Sequence, residues 1–92
     1  MATGTIKKQI YHKLVKGTTS STTGVISTGL DCTKYAVVAA YANRNETGYY
    51  NSLYFVLPTG TSGTEAIMMC FNASLQRLQN EAVAIDVYYT DI

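Results

Sequence analysis

The segment Ala82-Val-Ala-Ile-Asp-Val-Tyr-Tyr-Thr90 decides the fold. Val83, Ile85, Val87 and Tyr89 fall on one side of a two-residue alternation, and Ala82, Ala84, Asp86 and Tyr88 on the other. That period belongs to a strand with one face in a core. Tyr88 and Tyr89 are adjacent, so they point to opposite faces and at most one enters the core.

Upstream, the same vocabulary recurs in short runs. Tyr35 to Ala42, Tyr49 to Leu57 and Ala66 to Phe71 read as strands, rich in Val, Ile, Tyr and Thr. Polar or glycine-bearing links at 43–48 and 58–63 separate them. A shorter strand is expected at 24–28, followed by a turn over 29–34. A first strand is expected at 6–16, with Ile6, Ile10 and Leu14 on one face and Tyr11 and Val15 on the other. The same residues also fit an i, i+4 helix. Leu75 and Leu78 fit one helical turn within 72–81, although a connection across the end of a sheet suits that segment better. Six closely spaced strands predict an all-β fold: a small antiparallel β-sandwich, jelly-roll-like or Greek-key, of six to seven strands. The 92 residues form a single domain, 1–92.

Composition narrows the function. Charged residues make up 14% of the chain, about half the usual share, while apolar residues make up 47%. Net charge is +1, so no global field draws the chain to nucleic acid or to an anionic membrane. The longest apolar run, Tyr35 to Ala42, is too short to span a bilayer. Lys7, Lys8, Lys13 and Lys16 interrupt the start, so no signal peptide is read there. Cys32 and Cys70 are read as free thiols, with Cys70 an inert core residue. A monomer this small buries only about 60–65% of its unfolded surface.

Two strands lack a water-facing side. Tyr35, Val37, Ala39 and Tyr41 oppose Ala36, Val38, Ala40 and Ala42. Ile67, Met69 and Phe71 oppose Ala66, Met68 and Cys70. A two-layer sandwich has no third layer to cover such a strand. The outer face of one sheet is therefore expected to be buried by another copy of the chain, with Val38, Ala40, Met68 and Cys70 as the candidate interface.

No enzyme constellation stands out. His12 is the one histidine, and with Cys32 and Cys70 in different elements no metal site is expected. The segment Gly60-Thr-Ser-Gly63 lacks the lysine and helix of a phosphate loop. The six acids are scattered; a small hydrolase would have to rely on Glu46 or Asp86, and the chain is read as non-enzymatic, without cofactors. The basic start is read as an edge strand whose lysines block further pairing, in preference to a nucleic-acid surface. Eight tyrosines are more informative. Asn43, Arg44, Asn45, Glu46, Tyr49, Tyr50 and Asn51 combine aromatic faces with hydrogen-bonding side chains, which a sugar ring and its hydroxyls require. The competing reading makes these tyrosines strand formers packed on the sheet.

The stretch Lys16-Gly-Thr-Thr-Ser-Ser-Thr-Thr-Gly-Val-Ile-Ser-Thr-Gly-Leu30 leads into Lys34-Tyr-Ala-Val-Val-Ala-Ala-Tyr41, and the chain closes with Val83-Ala-Ile-Asp-Val-Tyr-Tyr89. Together these resemble the small β-sandwich head domains at the C-terminus of tail-fibre-like proteins of phages and prophages. The resemblance covers residues 10–92 and rests on strand patterns of low specificity. It implies a homotrimer, attachment to a host-surface receptor (usually a glycan), and an upstream stalk in the full protein. It also implies a place in the virion after synthesis in the bacterial cytoplasm. The expected function is multivalent, non-enzymatic receptor binding through the loop 43–51 and the turn 58–63, without nucleic-acid binding or membrane insertion. The alternative is a purely structural virion part, such as a capsid fibre or decoration protein.

Overall fold

The alternation at 82–90 is realised as the central strand of a sheet. The structure, a computed structural model, describes residues 9–92. Its strands are β1 (Ile10–Thr18), β2 (Val25–Asp31), β3 (Tyr35–Ala42), β4 (Tyr54–Ser62), β5 (Glu65–Asn72) and β6 (Ala82–Asp91). They form two three-stranded antiparallel sheets, a first ordered β1-β6-β3 and a second ordered β2-β5-β4. Only β4 and β5 are sequence neighbours that also pair; the other connections pass from one sheet to the other. No helix forms among the described residues. Ile6, Lys7 and Lys8 of the expected first strand lie outside the described residues.

The core sits between the sheets. Val83, Ile85 and Val87 of β6 face Met68 and Cys70 of β5, and none of the five has exposed surface. Val15, Ile26, Leu30, Tyr54, Ala66 and Leu78 complete it. The other face of β6 carries Asp86 and Tyr88, as the alternation requires. β1 is an edge strand, as its lysines suggested. Burial pushes the Cys70 thiol up to about 11, and both cysteines are free.

Boundaries in the middle of the chain differ from the sequence reading. Tyr49 to Leu53 is a connection, because the Tyr49 amide donates to the Glu46 carbonyl and the Tyr50 amide to that of Ala82. The strand begins at Tyr54 and continues through Pro58 to Ser62. Pro58 is tolerated because β4 is an edge strand and a bulge between Pro58 and Gly60 absorbs the missing donor. The hairpin turn is therefore Gly63-Thr64, not 58–63. Likewise β2 runs on through Gly29 and Leu30 to Asp31, with a bulge between Ser27 and Asp31.

That second bulge is held by a buried hydroxyl. Thr28 Oγ1 donates to the Ala66 carbonyl at 2.7 Å and accepts from the Leu30 amide at 3.1 Å. Thr28→Val keeps the shape but leaves both backbone groups without this partner. It is expected to lower stability by about 2 kcal/mol, measured by urea unfolding. A loss below about 0.5 kcal/mol would show that the bulge does not depend on the hydroxyl.

The proposed interface residues separate. Met68 and Cys70 are core residues, and Ala40 packs against the core. Val38 alone is exposed, as the extra residue of a bulge between Val37 and Ala39. The two-sided apolar reading of 66–71 holds, but the face expected to meet a partner is the inward one. Met68 lies opposite Ile26 of β2 and Cys70 opposite Val56 of β4, and both partners pack in the core. The outward residues are Ile67, Met69 and Phe71, all half-buried.

Candidate functional site

The outer face of the first sheet brings together a group of polar and aromatic side chains. β1 contributes His12, Leu14 and Lys16; β6 contributes Ala84, Asp86 and Tyr88; β3 contributes Ala39 and Tyr41. Register places His12 opposite Tyr88, and Tyr41 opposite Asp86, so these side chains share one face. Asp86 and Tyr88 stand in the middle because β6 is the central strand.

Geometry ties the group together. His12 Nε2 lies 2.7 Å from Asp86 Oδ1. The His12 ring lies 4.9 Å from the Tyr88 ring, and Tyr41 meets Tyr88 edge-on with centroids 6.0 Å apart. Tyr41 is 60% exposed, leaving most of its ring available. Further along the face, Lys16 Nζ pairs with Glu46 Oε2 at 3.1 Å and sits 5.5 Å from the centre of the Tyr49 ring. Ala84 lies opposite Lys16 and has no exposed surface, so this part of the face is covered.

The loop 43–51 therefore divides. Glu46 and Tyr49 join the outer face through Lys16. Asn43 is spent on its own turn, its Oδ1 accepting from the Asn45 amide at 2.9 Å. Arg44, Asn45 and Asn51 are exposed. Tyr50 leaves the candidate set, because its ring meets Tyr54 edge-on at 5.4 Å and packs against the core. Tyr54 in turn donates to the Ala84 carbonyl at 2.6 Å, and burial pushes its phenol up to about 12. The segment 58–63 belongs to the β4–β5 hairpin of the second sheet and takes no part in this face.

His12, Lys16, Tyr41, Asp86 and Tyr88 were not singled out from the sequence as a site. Asp86 and Tyr88 were legible as one face of the last strand. Their meeting with His12 and Tyr41 depends on pairing across the length of the chain. A second aromatic group, Tyr11, Tyr35 and Tyr89, lies on the inward side of the same sheet, with ring centroids 5.4 and 5.2 Å from Tyr89. The Tyr11 hydroxyl donates to Asp91 at 2.9 Å, which raises its pKa.

The outer face is an open platform. No cavity forms among the described residues, and no three His, Cys, Asp or Glu side chains gather there as they would around a metal ion. Glu46 and Asp86 are each held by a basic or imidazole partner. Aromatic rings flanked by carboxylate, imidazole and ammonium groups can cover one side of a sugar ring and hydrogen-bond its hydroxyls. No family model matches the chain, and neither a curated protein nor a solved structure does.

Proposed function

We propose that the chain is a non-enzymatic module of a phage or prophage virion, of the tail-fibre-tip kind, that binds a host-surface glycan as a homo-oligomer. The observation that supports it is the platform of Tyr41, Tyr88 and Tyr49 interleaved with His12, Asp86, Lys16 and Glu46. The aromatic rings stack on the C–H faces of a sugar, while Asp86, His12 and Glu46 meet its hydroxyls. An open platform makes few contacts per copy, and joining copies in one particle raises the effective affinity. The resemblance of residues 10–92 to tail-fibre heads supports the virion setting.

A glycan array with labelled protein tests the binding. Tyr88→Ala and Tyr41→Ala are each expected to weaken the best hits about tenfold, equivalent to about 1.4 kcal/mol. Tyr50→Phe, which keeps the edge contact with Tyr54, is expected to leave them unchanged. An array without hits, or hits indifferent to Tyr88 and Tyr41, would remove the lectin reading. The second reading, a structural virion part without a ligand, draws on the apolar outer face of the second sheet, which calls for assembly alone. An empty array from a stably assembled protein would favour it.

A further inference from the structure

The outer face of the second sheet is as apolar as that of the first is polar. Phe55 lies opposite Phe71, and both Leu57 and Val25 lie opposite Met69. Opposed residues of an antiparallel pair share a face, and Ile67 lies two residues from Met69 on it. Phe55 is 45% exposed and Leu57 54%. Charge is confined to the two ends. Glu65 opens β5 on this face, accepting from Ser27 Oγ. Arg77 forms a bridge beside Phe71 at the other end, with its neighbour Leu78 turned into the core. Asp31 lies opposite Glu65 at the same end, its Oδ1 accepting from the Thr33 amide and hydroxyl. None of these three charged groups makes an ion pair among the described residues.

We infer that a second copy of the chain packs face to face on this sheet, two-fold and antiparallel. The occupant follows from charge and shape. A two-fold axis between the faces, perpendicular to β5 at Met68, reverses the strand. It brings Glu65 of one copy to the Phe71–Arg77 end of the other, and does so twice. A three-fold arrangement with strands parallel to its axis gathers the Glu65 carboxylates at one end and the Arg77 guanidiniums at the other. The same two-fold axis sets Met69 against Ile67 and Val25 over Ser27. It also sets Leu57 over Gly60, the residue opposite Ile67. A Cβ at Gly60 would meet nothing within 4 Å, so the face is open where the leucine arrives. The pairing rests on the proposed function only for the existence of an oligomer, and needs no glycan.

Sedimentation and native mass at tens of micromolar test it. The wild-type chain is expected at twice the chain mass. Leu57→Glu is expected at the single-chain mass with an unchanged far-ultraviolet spectrum. Glu65→Arg and Arg77→Glu are each expected to weaken the dimer about tenfold, since each contact occurs twice, and the double exchange to restore it to within about threefold. A single-chain mass throughout, a dimer indifferent to Leu57→Glu, or a double exchange without rescue would each overturn the inference. A three-chain mass would overturn it too, while leaving the glycan platform intact. Co-sedimentation of a monomeric chain with phosphatidylcholine vesicles, abolished by Leu57→Glu, would give the face to a lipid surface instead.

Discussion

Ile85→Ala is expected to lower the free energy of unfolding by about 4 kcal/mol. Ile85 has no exposed surface and sits on the central strand, opposite Val15 of β1 and Ala42 of β3. With a strand bonded on each side, the backbone cannot close the cavity the truncation leaves. Across the sandwich lie Met68 and Cys70, themselves fully enclosed. A domain of this size has roughly 5–10 kcal/mol in total, so the change removes a large part of it. Urea unfolding with an unchanged m value is the measurement. Ile10→Ala, on the outer face of the same sheet and 51% exposed, is expected to cost less than about 0.5 kcal/mol. A loss below about 1.5 kcal/mol at Ile85 would mean that the two sheets do not close-pack there.

Gly24→Ala is expected to cost about 3 kcal/mol, from two causes that add. The residue has φ +70°, a conformation that charges an L side chain about 1–2 kcal/mol. Its Cβ would also stand 3.0 Å from the Leu78 carbonyl oxygen and 3.3 Å from that of Cys70. These are backbone atoms and cannot swing aside. The Gly24 carbonyl accepts from the Cys70 amide at 3.0 Å, and the Cys70 carbonyl accepts from the Leu78 amide at 2.9 Å. Moving Gly24 away therefore pulls on the end of β5 and on the connection to β6 together. Gly48 separates the two causes, because its φ is +87° while a Cβ there would meet nothing within 4 Å. Gly48→Ala is expected to show the conformational part alone, about 1–2 kcal/mol. Equal losses at the two glycines, measured by thermal and urea unfolding, would sink the steric argument.

Residues 82–90 were legible because alternation is local; in 35–42 the strand was legible but its faces were not, because the bulge at Val38 turns Ala40 and Ala42 inward with Tyr35 and Val37 and leaves Ala39 and Tyr41 facing out. Which side of β6 holds Val83, Ile85 and Val87 can be read without knowing any neighbour. The stretch 49–57 misled for a related reason. Tyr49 and Tyr50 favour extended backbone, but their amides are claimed by Glu46 and Ala82, and that contact is invisible to a window along the chain. Pro58 read as a break, yet an edge strand with a bulge accommodates it. The site was half legible. Glu46 and Tyr49 were chosen for their chemistry and do reach the polar face, whereas Tyr50, equally suited by type, is drawn into the core beside Tyr54.

The strand 66–71 marks the division between the two levels. By itself the sequence determined that this chain is all-β, that its last strand is one-sided, and that 66–71 is apolar on both sides. Those properties depend on side-chain type and a period of two, and both are local. Only the tertiary structure decided that Met68 and Cys70 enter the core while Ile67, Met69 and Phe71 face out. When both faces of a strand are apolar, burial energy alone does not choose between them. The register with β2 and β4 makes the choice, setting Met68 beside Ile26 and Cys70 beside Val56, both of which pack in the core. The polar platform is decided in the same way, since His12 and Asp86 are far apart along the chain and meet only because β1 and β6 pair.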